Sequence, residues 1–366
     1  MALRLNNQTC LADYLEGNDT MKPTPQPEIN QDELDFYLGV QSKVTDYKQN
    51  WPAYNLTQTT EYSMFQDLLI ELLDSLITDI PSHKQGRPYN DLKEMLFCCV
   101  MRSYYGKSSR RCVSFLDYAV MKGYLSKKPH FNTILNYYKE RALTDVLKYL
   151  IQHSAHPLKE LELDFAVDSS GFSTSLFGRW LDIRIQKNSM KRIYKKAHIT
   201  VGVISNIVTA VEVTPGFYAD SPQFKKLVKI TSETFKIREV SADKAYLSRD
   251  NLKFVSGLGG IPFIPFRSNT RQRPRGALIW NRMKRFYDEY PELFALHYHK
   301  RSNVESTFSM MKRKFGHKLY SKSEVGQVNE ILCKILAHNL CVLLQEYHED
   351  QIKLDFNKCA KAGVVR

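Results

Sequence analysis

The fold turns on the stretch LELDFAVDSSGF, residues 161–172. Before it, apolar residues recur at helical spacing. From Leu161 onward they crowd into short runs with strand character. Asp164 and Asp168 stand four apart, so on a strand they share one face. Ser169, Ser170 and Gly171 are expected to turn the chain and leave the Asp168 carboxylate at a sheet edge. Such an Asp also serves as an ordinary turn cap, and Asp164, more interior, is a second-ranked candidate for the same chemistry.

Toward the N-terminus, Phe65, Leu68, Leu69, Leu72, Leu73 and Leu76 keep a helical period. Gly86 and Pro88 end that run. Further helices are expected near residues 90–105, 109–122, 129–140 and 143–153. Residues 1–56 are polar and contain KPTPQP, which reads as a loosely ordered arm. Residues 57–158 are therefore expected to form an all-α domain for DNA binding or dimerisation. Lys107, Arg110 and Arg111 open one of its helices and Lys127, Lys128 and His130 precede another. That arrangement suits a helix-turn-helix reader as well as a plain bundle.

Toward the C-terminus, AHITVGVISN and IVTAVEVTPG form a hairpin around Ser205-Asn206. Asp220-Ser221-Pro222 starts a helix, with Asp220 as the capping side chain. REVSAD is a fourth strand ending at Asp243, a helix follows from about Ser248, and IPFIPF is a fifth, short strand. Residues 267–297 read as a basic loop and helix, and a last apolar helix spans about 325–345. Three strands followed by alternating helices and strands imply an α/β fold over residues 159–350: a mixed five-stranded sheet flanked by helices, a layout that the ribonuclease-H-like core has but that element order alone does not single out. Residues 351–366 are a tail.

The chain has 366 residues, 43% of them hydrophobic, enough for more than one packed core. Its 52 Lys and Arg against 39 Asp and Glu leave a net charge of +13, which points to a polyanionic partner, nucleic acid first. The first twenty residues lack the apolar core and cleavage site of a secretory leader. No run reaches the ~18 uninterrupted apolar residues of a membrane span. The expectation is a cytoplasmic protein with no membrane partner. The seven cysteines contain no CxxC pair and read as small buried hydrophobes.

Two-metal phosphodiester chemistry needs carboxylates converging from separate elements. Asp168 and Asp243 end strands that lie side by side in this layout. The third acid stands in YHKRSNVESTFSMMKRKFG, residues 298–316, alone among cations. Tyr298, Arg301, Glu305 and Lys312 share one helix face, and Val304, Phe308, Met311 and Phe315 form an adjoining apolar stripe. If the stripe packs on the sheet, Glu305 completes a metal-binding trio with Asp168 and Asp243. Arg301 and Lys312 are then within reach of substrate phosphate. A solvated amphipathic helix has the same pattern.

The spacing Y-x2-R-x3-E-x6-K resembles the signature of DDE transposases of prokaryotic insertion sequences, the group with a Tyr-Arg-Glu-Lys motif. VDSSGF looks like that family's first-Asp motif and ADKAY like its second. The resemblance covers roughly residues 161–347. It implies that Asp168, Asp243 and Glu305 are catalytic and bind two Mg2+ or Mn2+ ions. It also implies that Arg301 and Lys312 contact DNA phosphate and that Tyr298 positions DNA near the cut. The implied partners are double-stranded DNA, both terminal inverted repeats and target, and a second copy of the chain or more. Some relatives carry a large β-rich insertion before the third acid; here that region reads in its latter half as loop and helix. A nuclease that cuts without joining, or a transposase-derived DNA binder, fits the same residues less fully.

Two basic clusters suggest a phosphate track. One contains Arg179, Arg184, Lys187, Lys191, Arg192, Lys195 and Lys196, and the other Arg267, Arg271, Arg273 and Arg275. Trp280 and Phe286, beside the second cluster, are candidates for base stacking, though core packing is the commoner use of such residues. His198 reads as structural, and His297 and His299 lack a zinc-type partner set.

Overall fold

The computed structural model of the protein describes residues 50–76, 90–174, 194–270 and 278–356. The helical part opens with α1 (Trp51–Asp74), which begins inside the segment expected to be an arm. Asn50 starts it by accepting a hydrogen bond from the Ala53 amide, and Pro52 fits the first turn, where its missing N–H is no loss. α2 (Leu92–Tyr105) is capped by Asp91 and stopped by Gly106 at φ +60°. The helix expected over 109–122 is broken into α3 (Ser109–Cys112), a 3-10 turn (Val113–Phe115) and α4 (Leu116–Met121). α5 (Phe131–Tyr137) and α6 (Arg141–Ala155) complete this part.

The sheet contains β1 (Asp164–Ser173), β2 (Tyr194–Gly202), β3 (Val208–Pro215), β4 (Glu239–Ala242) and β5 (Ile261–Phe263) in the order β3-β2-β1-β4-β5. β1, β2 and β3 pair antiparallel, and β4 and β5 pair parallel to β1. The mixed five-stranded sheet flanked by helices, with helices N-terminal to it, is the expected ribonuclease-H-like arrangement. Asn206 turns the β2–β3 hairpin at φ 64°, a conformation Asn tolerates. Glu162, fully buried, ties the same turn by accepting from the Ile204 and Ser205 amides and the Ser205 hydroxyl.

Between and after the last strands lie α7 (Ser221–Ser232), α8 (Arg249–Gly257), α9 (Leu278–Glu289), α10 (Pro291–Tyr298), a 3-10 turn (His299–Arg301), α11 (Ser302–Phe315) and α12 (Glu324–Asp350). Asp220 precedes α7 but makes no side-chain cap bond. Its carboxylate is drawn instead to Lys196 at 2.8 Å and lies 3.5 Å from His198. A full charge partner outcompetes a backbone amide for it.

α12 joins the two parts. It packs on α1, α2 and α6 and also on β2 and β3. By length and composition this helix is apolar enough to cross a membrane, yet 89% of its apolar window is buried inside the fold. Two of its buried polar residues tie neighbouring elements to it. Asn339 bonds Val208, Ile151 and Ser154, while Lys334 donates to the carbonyls of Gly316 and Lys318. Cys98, Cys99, Cys112 and Cys333 are buried free thiols within this core, the role expected of them.

Candidate active site

β1 runs on past the expected turn. Ser169 to Ser173 continue in register with β2, so Asp168 lies mid-strand and not at a strand end. It is accessible because the other neighbour stops: the β1–β4 ladder ends at Val167 opposite Ala242. The next residue on each strand is an acid, Asp168 on one and Asp243 on the other. Parallel pairing therefore delivers both to the same end of the sheet. Each carboxylate accepts from the amide of the following residue, Ser169 at 2.7 Å and Lys244 at 2.6 Å.

The third acid arrives on α11. Val304, Phe308, Met311 and Phe315 are all buried and pack the helix against β1 and β2. That packing turns the polar face toward the acids. Arg301 spans the gap, with one guanidinium nitrogen 2.6 Å from Asp168 Oδ2 and the other 2.6 Å from Glu305 Oε1. Tyr298 lies under it, its ring centre 5.8 Å from the guanidinium carbon. Lys312 donates to Ser170 Oγ at 2.6 Å and lies over the rings of Phe172 and Phe308. Burial lowers the Lys312 ammonium from its ordinary range. The residues from Tyr298 to Lys312 thus share a face as expected, although a 3-10 turn at His299–Arg301 interrupts the single helix foreseen.

Burial pushes the Asp168 carboxyl above its usual value. The Ser169 amide and Arg301 pull it back, and the Asp243 and Glu305 carboxylates raise it further. The three acids therefore share one electrostatic neighbourhood. They do not form an assembled trio: among the described residues no three His, Cys, Asp or Glu side chains are gathered closely enough to hold a metal. Like charges separate unless a cation holds them, and here the cation between Asp168 and Glu305 is Arg301. The donor set, hard carboxylate oxygens only, suits Mg2+ or Mn2+.

Asp164, the second-ranked candidate, is held away from this chemistry. Its side chain is 8% exposed, and it accepts from Arg238 at 2.7 and 2.6 Å and from Lys300 at 2.8 Å. Burial alone would raise its carboxyl, but these partners lower it below the ordinary value. Lys300 also reaches Glu239 at 2.7 Å, and His297 Nδ1 is 2.9 Å from the same oxygen. Sequence reasoning missed this group. A signal was present: DFAVD and EVSAD both place an acid four residues before the site Asp.

A cavity of about 540 Å³ opens beside Asp243, lined by Lys244, Ala245, Phe266, Arg267 and Ser268. Trp280 meets Phe266 edge-on at 5.0 Å and lies 5.8 Å from the Arg249 guanidinium, whereas Phe286 is fully buried. Lys195 pairs with Glu324 and Lys196 with Asp220, so both already have acidic partners. Arg179, Lys191, Arg192, Arg271, Arg273 and Arg275 lie outside the described residues. His198 is buried against Thr214, and burial lowers its ring to about 4, as befits a structural histidine.

No curated protein and no solved structure matches the chain. One family model does, the one described as Transposase DDE domain, over residues 160–340, a span that contains all three acids. Through residues 160–340 the chain belongs to the transposase DDE family.

Proposed function

We propose that this protein is a transposase of the Tyr-Arg-Glu-Lys group that cuts DNA at the ends of its own element and transfers the freed strand into target DNA. The observation that carries the reading is the convergence of Asp168 and Asp243 from register-matched parallel strands, with Arg301 joining Asp168 to Glu305, inside a transposase DDE domain. Asp168, Asp243 and Glu305 are the catalytic carboxylates and would hold two Mg2+ or Mn2+ ions. Such ions, when bound, polarise a phosphate oxygen and activate the attacking hydroxyl.

The chain's own residues do the rest. Arg301, released from the acids, presents its two-pronged donor to a DNA phosphate. Lys312 adds positive charge from the same helix face, and Tyr298 positions the strand beside it. Arg179, Lys191, Arg192, Lys195, Lys196, Arg271, Arg273 and Arg275 extend the phosphate track, and Trp280 stacks on an unpaired base. Lys195 and Lys196 must leave their present ion pairs to take part. The N-terminal helices bind element ends or a second copy of the chain, since two ends are joined in one event.

The test is direct. Purified protein is incubated with Mg2+ and a linear duplex carrying the DNA that flanks the gene, with a supercoiled plasmid as target. Cleavage at terminal inverted repeats followed by joining is the expected result. Cleavage without joining selects a nuclease, and retention without cleavage selects a DNA binder.

A further inference from the structure

β1 and β4 carry two pairs of acids, one above the other. Asp164 stands opposite Glu239 in the parallel ladder, and four residues later Asp168 and Asp243 follow the last pair. A spacing of four keeps each acid on the same face as its partner further along. Two consecutive residues of the 3-10 turn serve the two levels. Lys300 reaches Asp164 and Glu239, and Arg301 reaches Asp168.

The lower level is closed, and both of its carboxylates are paired with cations. The Asp164 and Glu239 side chains are 8% and 6% exposed, and Lys300 lies between them at 2.8 and 2.7 Å. Arg238 grips Asp164 with both prongs. His297, one turn before Lys300, bonds Glu239 and stacks on Phe263 of β5 at 4.5 Å. The end of α10 and the turn after it are thereby fixed to β1, β4 and β5 together. The upper level is open, and Arg301, the residue next to Lys300, bridges two of its acids.

We propose that Lys300 is a positioning residue: by clamping the His299–Arg301 turn to Asp164 and Glu239, it sets where Arg301 and Glu305 stand relative to Asp168 and Asp243. The proposal rests on the transposase reading of those acids. Arg301 can then let go of Asp168 without α11 drifting, because the adjacent anchor does not depend on the upper acids. A site held within a fraction of an ångström needs such an anchor, since a 1 Å misplacement costs on the order of 10²-fold in rate.

A half-buried ammonium between two buried carboxylates has a competing use, mere charge neutralisation. Two variants separate the uses. Lys300→Met removes both the charge and the tether. Lys300→Met combined with Glu239→Gln removes the surplus carboxylate as well, so charge is compensated while the tether stays absent. Three quantities are measured for each and for the wild type: Mn2+ affinity by calorimetry without DNA, thermal midpoint, and nicking of the flanking-DNA duplex at saturating Mn2+. The expected result for Lys300→Met is Mn2+ affinity weakened about tenfold and nicking slowed on the order of 10²-fold, with a lower midpoint. In the double variant the midpoint recovers, but affinity and nicking do not. Recovery of all three in the double variant overturns the proposal, as does a Lys300→Met protein that binds Mn2+ and nicks like the wild type. A wild-type protein that neither binds Mn2+ nor nicks overturns the transposase reading itself, and the clamp falls with it.

Discussion

Arg301 donates to Asp168 Oδ2 across 2.6 Å, although 133 residues separate them in the chain. The same guanidinium also holds Glu305. This one guanidinium, a single positive charge, pairs with two of the three acids that the proposed chemistry needs. A metal held by these acids would therefore compete with Arg301 for the same oxygens.

Arg301→Ala should accordingly tighten Mn2+ binding in the absence of DNA, by about three- to tenfold, as read by calorimetry. The same change should weaken DNA binding and lower the slope of log affinity against log salt by about 0.9, the share of one phosphate contact. Fluorescence anisotropy across a salt series measures that slope. An unchanged slope assigns Arg301 to structure alone.

Asn339 is the polar hinge between the helical part and the sheet. Fully buried, it accepts from the Val208 amide and donates to the carbonyls of Ile151 and Val208 and to Ser154. Asn339→Leu keeps the volume and removes these bonds, taking the side-chain acceptor from the Val208 amide while the Ile151 carbonyl keeps the Ser154 hydroxyl. The expected loss is about 2–4 kcal/mol in chemical denaturation. A variant as stable as the wild type would show that the two parts do not depend on this junction.

His338 gives a pH signature. Burial lowers its ring from 6.5 to about 4, against the pull of its bond to the Asn206 carbonyl, and Lys314 lowers it further. The unfolded chain therefore takes up a proton near pH 6.5 that the native state refuses until about pH 4. Stability from this group is intact above 6.5 and is lost as pH falls toward 4, by about 3 kcal/mol at most. Glu346, which burial pushes up to about 7, has the opposite slope. Comparison with His338→Gln at each pH cancels that background, because the amide still offers a donor to Asn206. Parallel stability curves for the two proteins would contradict the assignment.

Much of this architecture was legible in the sequence because hydrophobic period reports burial directly. The buried stripe of Val304, Phe308, Met311 and Phe315, the Ser205-Asn206 turn and the strand ending at Asp243 all follow from local pattern. What local pattern could not supply was competition between distant partners. Ser169 to Gly171 look like a turn, but pairing with β2 outweighs that preference and carries β1 to Ser173. Asp220 looks like a cap, but Lys196 and His198 from β2 claim it. Lys300 looked like one more cation in a basic run. Its partners, Asp164 and Glu239, come from two strands far away in the chain, and only the parallel register of β1 and β4 makes them neighbours.

The central claim is that Asp168, Asp243 and Glu305 act as one unit. Asp168→Asn, Asp243→Asn and Glu305→Gln each remove one negative charge with little change of shape. The decisive measurement is nicking of the flanking-DNA duplex by each variant at saturating Mn2+, with binding to that duplex measured alongside. The account predicts that each variant loses cutting by at least about 10³-fold while duplex binding stays within a few-fold of the wild type. A variant at any of the three positions that cuts at the wild-type rate, or one whose only defect is lost binding, would contradict it.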